Sequence, residues 1–191
     1  MKLDTLNFVL TNRIPRVYLT RQMRWLSQVQ SPWLTRLVLK LWGAFAKLET
    51  EDTVDGPFAS VRDFFVRGLK PNARPVDPNL EVWVSPCDGL LGAHGLIEKG
   101  QALQIKGMPY SVAELLGSEE LAQTVSNYRY TTVRLTSGMY HRFHAPCDLV
   151  VKQARLISGD VFNVNPPALK RIPSLFCRNE RVVLTCNAPG R

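Results

Sequence analysis

The sequence predicts an α+β fold in which N-terminal amphipathic, basic helices precede a mostly β body with a few short helices. Up to about residue 48, apolar residues recur at offsets of three and four; from Val82 onward they come in short runs separated by turn residues. The charge divides at nearly the same place. Of a net charge of +8, residues 1–48 hold eight cations against Asp4 alone, so the rest of the chain is close to neutral. The expected organisation is a helical front over 1–50 and a body over 51–191.

Residues 3–28 read as one or two short helices broken near Pro15, with Leu3, Leu6 and Leu10 at helical spacing and Arg13, Arg16, Arg21 and Arg24 among the apolar positions. Ser31-Pro32 starts the next helix, since serine caps free amides and proline is tolerated at the first helical position. That helix carries Leu34, Leu37, Val38, Leu41, Trp42, Phe45 and Leu48 on one side, with Arg36, Lys40 and Lys47 elsewhere. A short helical segment is expected at Val61–Arg67, then a Pro- and Gly-rich loop to Pro78. Strand-like runs follow at Val82–Val84, Leu103–Ile105, Tyr130–Leu135, Leu149–Ile157 and Val182–Leu184, and one helix is expected over Ser111–Val125, burying Val112, Leu115, Leu116 and Leu121. No internal repeat or low-complexity tract stands out.

The basic front points to an anionic partner. No RNA- or DNA-binding signature accompanies it, so nucleic acid is not expected. Trp25, Trp33 and Trp42 among cations fit an interfacial helix, and the alternative is a helix that docks on the protein's own core. The longest apolar stretches are cut by Lys or Arg before the roughly 18 to 20 residues a crossing requires, and no secretory signal is visible. The chain is expected to lie on a bilayer without spanning it. Four cysteines without a Cys-x-x-Cys pair suggest reduced thiols in a cytosolic compartment.

Two of the three histidines, His141 and His144, stand three residues apart in Tyr140-His141-Arg142-Phe143-His144-Ala145-Pro146-Cys147. Imidazole is the side chain most often recruited near neutral pH. Extended backbone would send the two rings to opposite faces and a helical turn would put them on one, so they serve either separate tasks or a common one. Ordinary buried histidines that hydrogen-bond their surroundings are the alternative. Asp88, in Ser85-Pro86-Cys87-Asp88-Gly89, marks a turn first of all. A carboxylate that accepts from one imidazole nitrogen also makes the other a better base. His141, His144 and Cys147 could be imagined as metal ligands in a hydrolase, but usual zinc sites add a second cluster, and metal is not expected.

Trp33-Leu34-Thr35, Phe64-Phe65-Val66-Arg67, Arg74-Pro75, Pro86-Cys87-Asp88-Gly89, Lys106-Gly107 with Tyr110-Ser111, the histidine segment, Gly159 to Asn165 and Arg178-Asn179-Glu180-Arg181 follow one another in an order that resembles the bacterial phosphatidylserine decarboxylase proenzyme family. The resemblance implies a lyase of phospholipid biosynthesis that turns phosphatidylserine into phosphatidylethanolamine and carbon dioxide, peripheral at the cytoplasmic face of the cell membrane. In that family the serine of a Leu-Gly-Ser-Thr sequence attacks the preceding glycine carbonyl, and elimination splits the chain and leaves a pyruvoyl group. The pyruvoyl forms a Schiff base with the substrate amine and accepts the electrons released as carbon dioxide leaves, the electron-sink logic of pyridoxal phosphate. Carried over by motif, His144 is the base that deprotonates that serine, Asp88 orients His144, and His141 handles a proton in decarboxylation.

Leu-Gly-Ser-Thr is absent from this sequence; the near match Leu116-Gly117-Ser118-Glu119 reads as structural. The resemblance therefore implies a β-subunit portion truncated before the cleavage site, inactive alone, with an incomplete sheet. Its expected partners are the missing pyruvoyl-bearing α-subunit segment, phosphatidylserine and an anionic membrane surface. The competing reading is a non-catalytic peripheral membrane protein that keeps only the basic front.

Overall fold

The computed structural model describes residues 5, 8, 9, 12, 15–54, 56–103 and 109–188. Leu3, Leu6, Leu10 and Arg13 of the expected first helix, Gln104-Ile105 of an expected strand, the Lys106-Gly107 motif and Pro189-Gly190-Arg191 lie outside them. The chain forms two compact units. One comprises Met1–Arg21, Gly92–Thr132 and Val150–Asn187; the other comprises Gln22–Leu91, Val133–Leu149 and Ala188–Arg191.

Helix α1 (Arg16–Ser27) begins just after Pro15 and buries none of its residues. Ser31 caps α2 (Pro32–Gly43) by accepting from the Leu34 amide, with Pro32 at the first turn as expected. The helix ends at Gly43, short of Leu48. Glycine is a poor helix former, and the chain beyond it is engaged elsewhere, since the Glu49 amide donates to Gly138 O at 3.0 Å. Helix α3 (Val61–Phe65) opens with a capping box in which Ser60 and Asp63 bond each other's amides. Phe64 beneath it is fully buried, edge-on to Phe58 and Phe65. These residues belong to the second unit.

The strands are β1 (Leu90–Leu96), β2 (Gln101–Leu103), β3 (Pro109–Ser111), β4 (Arg129–Arg134), β5 (Val150–Ile157) and β6 (Arg181–Asn187). Among the described residues they pair into three two-stranded sheets, β1 with β4, β2 with β3 and β5 with β6. The longest ladder runs antiparallel from Val150↔Asn187 to Ile157↔Arg181, with an irregularity between Val151 and Gln153. Its Leu156, Val182 and Leu184 are exposed, consistent with an α+β fold whose sheet is incomplete. Val82–Val84 is not a strand; it is irregular chain with one backbone bond to Pro146.

The single helix expected over 111–125 is two, α4 (Val112–Leu116) and α5 (Glu119–Thr124). Gly117, at φ +63°, ends the first in the left-handed region, and Ser118 caps the second by accepting from the Leu121 amide. Val112 and Ala122 from these helices meet Ile97 and Ala102 in one apolar cluster of the first unit. Two further short helices, α6 (Pro166–Leu169) and α7 (Leu175–Arg178), contribute Ala168, Leu169 and Leu175 to a second cluster with Ile172.

Candidate functional site

The site is built on a short repeat that the sequence reading passes over. Pro86-Cys87-Asp88 and Pro146-Cys147-Asp148 are the same tripeptide, and each precedes a strand, β1 at Leu90 and β5 at Val150. In the second unit the two loops bond reciprocally. The Val84 amide donates to Pro146 O at 2.9 Å, and the His144 amide donates to Pro86 O at 2.6 Å. Backbone bonds thus bring the loop carrying His144 against the loop carrying Asp88. Gly89 is needed here for closeness more than for a turn: a Cβ on it would stand 2.5 Å from Val133 Cγ1 and 3.2 Å from Arg134 O.

The Asp88 carboxylate is gripped by Arg74. Nε donates to Oδ1 at 2.9 Å and to Oδ2 at 3.1 Å, while Nη2 donates to Oδ2 at 2.6 Å. Nη1 reaches the other way to Asp52 Oδ2 at 3.0 Å. Bonding to Arg74 holds the Asp88 carboxyl below the usual carboxylate range, and the charges of His144 and Arg67 add to this against the opposing effect of burial. Asp88 is thus an ionised acceptor at neutral pH. Among the described residues no hydrogen bond joins it to the His144 ring.

The histidine segment is irregular, neither helix nor strand, and each imidazole has its own surroundings. His144 is exposed and stacks on Tyr140, ring centroids 5.7 Å apart and 21° between planes. His141 packs edge-on against Phe65 at 4.8 Å, and Phe65 in turn meets Trp42 of α2 at 5.4 Å. The His141 Nε2 is buried and has no hydrogen-bond partner among the described residues. A buried polar atom left in that state costs free energy.

Arg67 fixes the backbone beneath these rings. Its side chain, 1% exposed, donates from Nη1 to Phe64 O and from Nη2 to Glu49 O and Gly138 O, all within 2.9 to 3.1 Å. Burial lowers its pKa, which Glu49 and Asp88 partly offset. Gly138 lets the Lys47–Leu48 backbone pass close because it lacks a side chain: a Cβ there would fall 1.9 Å from Lys47 O. Arg142 adds a second tie, from Nε to Val66 O at 3.0 Å. A polar cavity of about 170 Å³ opens beside Tyr140 and Arg74, lined also by Lys47, Glu49 and Asp52.

Sequence reasoning placed Asp88, His141 and His144 together, and all three lie in the second unit. It quoted Arg74 and Arg67 only as parts of motifs and gave them no chemistry. The signal for Arg74 was an arginine in a Pro-rich loop otherwise short of reason for a cation; nothing marked Arg67 as buried. The four cysteines are free thiols, with Cys87 pushed up by burial and then by the Asp88 charge. Among the described residues no group of three or more His, Cys, Asp or Glu is placed to hold a metal ion. Ser118 is occupied as a helix cap, in line with its structural reading.

The sequence model described as phosphatidylserine decarboxylase matches residues 61–191. Phosphatidylserine decarboxylase proenzyme of Yersinia enterocolitica serotype O:8 / biotype 1B is 39% identical over 185 residues, covering 95% of this chain and 63% of that protein. The proenzymes of Yersinia pestis (strain Pestoides F) and Yersinia pseudotuberculosis serotype O:1b (strain IP 31758) are each 37% identical over the same coverage. The chain thus spans 63% of the length of the curated relatives it matches. The match takes in the loops of Asp88 and His144, the clamp of Arg74 and the pin of Arg67, and on it the chain belongs to the phosphatidylserine decarboxylase family.

Proposed function

We propose that this chain carries the acid–base machinery of a phosphatidylserine decarboxylase acting peripherally at the cytoplasmic face of the cell membrane. The observation that carries the reading is the bond between the His144 amide and Pro86 O at 2.6 Å, which keeps a histidine loop against an ionised aspartate in a chain of this family. A serine hydroxyl is a poor nucleophile without a base. The exposed His144 ring is free to take such a proton, and Asp88 is the nearby carboxylate that steadies the imidazolium then formed. The serine that yields the pyruvoyl is not among these 191 residues; in this reading it lies in a segment carrying Leu-Gly-Ser-Thr, on the same polypeptide or on another. The pyruvoyl group supplies the electron sink for decarboxylation. His141, whose buried Nε2 has no partner among the described residues, fits the separate task of holding or delivering a proton during that step.

The membrane reading is supported by what α1 and α2 leave uncovered. Trp25, Trp33, Leu41 and Phe45 are exposed, Trp33 by 74% and Phe45 by 91%, beside Arg21, Arg24, Arg36 and Lys40. Thr35 and Trp42 dock α2 on the protein, yet the rings of Trp33 and Phe45 stay outside, as an interfacial face requires. No described helix is long and apolar enough to cross a membrane. Sedimentation with phosphatidylserine-containing vesicles should pull the chain down at low salt and release most of it at high salt; equal binding to neutral vesicles would contradict the electrostatic part.

For activity, the chain is mixed with a polypeptide bearing the Leu-Gly-Ser-Thr segment and carbon dioxide release from phosphatidylserine is measured. The mixture should release carbon dioxide; His141→Ala should abolish release while leaving chain cleavage intact. Absence of release from a mixture in which cleavage occurs would overturn the decarboxylase reading.

A further inference from the structure

Arg74 has no part in the chemistry above, yet it is the most thoroughly engaged side chain around Asp88. Its loop is fixed independently: Thr53 and Leu69 form an antiparallel bridge, and the Lys70 amide donates to Asp52 O at 2.8 Å. This sets Asp52 beside the turn at 70–73, from which Arg74 projects. Besides its three bonds to Asp88 and one to Asp52, Arg74 donates from Nη1 to Ala73 O at 2.7 Å. All three guanidinium nitrogens therefore have acceptors.

A planar fork bound to both oxygens of a carboxylate fixes its plane and rotation, which a lysine ammonium cannot do. A carboxylate offers about four lone-pair sites, so Asp88 retains room for one more donor while both its oxygens are already in use. We propose that Arg74, anchored by Asp52, is a positioning residue for the Asp88–His144 pair: it sets the carboxylate's orientation and shares its charge, so Asp88 steadies His144 without capturing it. The functional meaning rests on His144 being the base; the geometry does not.

The charged groups bearing on Asp88 are Arg74, His144 and Arg67, and those bearing on Arg74 are Asp88, Asp52 and Arg67. Glu49 and Tyr140 bear in turn on Arg67. Without the fork, Asp88 is free to rotate onto the His144 ring and hold its cationic form.

The test is histidine NMR titration of the full 191-residue chain, which has only His94, His141 and His144 to assign. His144 should titrate at higher pH in Arg74→Met than in the unaltered chain. Arg74→Lys, which keeps the charge and loses the fork, should fall between, and exposed His94 should not move. The increment should vanish between Asp88→Asn and the double variant Arg74→Met/Asp88→Asn, because the effect passes through the carboxylate. An unmoved His144 in folded Arg74→Met, or an increment that survives in the Asp88→Asn background, would overturn the proposal. If Arg74→Met does not fold, Arg74→Lys decides alone: an upward shift supports it and no shift refutes it. Failure of the carbon dioxide assay with these shifts present would count against the decarboxylase reading and leave the positioning role standing.

Discussion

The two Pro-Cys-Asp loops share a tripeptide and a reciprocal pair of backbone bonds, and they end differently. Asp88 is 21% exposed and held through both oxygens by Arg74; Asp148 is exposed and has no hydrogen-bond or ion-pair partner among the described residues. Two residues before the proline stands Val84 in one loop and His144 in the other. The same local chain becomes a site on one side because a guanidinium from residue 74 reaches it and because the opposite loop supplies an imidazole. Chemistry here comes from what surrounds the motif.

The largest effect should come from the support under the histidine loop. Arg67→Met removes three charge-assisted bonds, leaving Gly138 O only its bond from the Glu49 amide, at a cost of about 3 kcal/mol or more in urea unfolding. A loss below about 1 kcal/mol would mean that Arg67 does not hold that loop. Next, Asp88→Asn should cost about 1 to 2 kcal/mol at pH 7, discounted for partial exposure, whereas Asp148→Asn should stay within about 0.5 kcal/mol. Because the folded Asp88 pKa lies below its ordinary value of about 3.9, the contribution is present above that pH and lost as pH falls through the folded value. The difference between Asp88→Asn and the unaltered chain should therefore shrink on acidification toward pH 3, and equal slopes for both asparagine variants would erase the contrast between the loops. A smaller loss, about 1 kcal/mol, is expected for Ser118→Ala, which removes the α5 cap in the first unit. Histidine spectra unchanged by that substitution would keep the effect apart from the site.

Much of this was legible in the sequence where local chemistry decides. Ser31-Pro32 starts a helix as expected, the runs at Tyr130–Leu135 and Leu149–Ile157 coincide with β4 and β5 to within a residue, and Val182–Leu184 falls inside β6. The helix over 111–125 was misread as continuous because its apolar spacing carries across Gly117-Ser118, a pair that stops one helix and starts another. Asp88, His141 and His144 were singled out by residue type and resemblance. Arg74 and Arg67 were not, because an arginine's use depends on contacts spanning 14 and up to 71 residues, which no period or local motif encodes. The exposure of Trp33 and Phe45 was similarly invisible, since an amphipathic stripe reads alike whether it faces a core or a bilayer.

The most direct test of the account is intact-mass analysis of a polypeptide carrying Leu-Gly-Ser-Thr after incubation with this chain. Cleavage between its glycine and serine should occur with the unaltered chain and with Asp148→Asn, and fail with His144→Ala. A polypeptide left uncut by the unaltered chain, or cut equally by the His144→Ala variant, would contradict it.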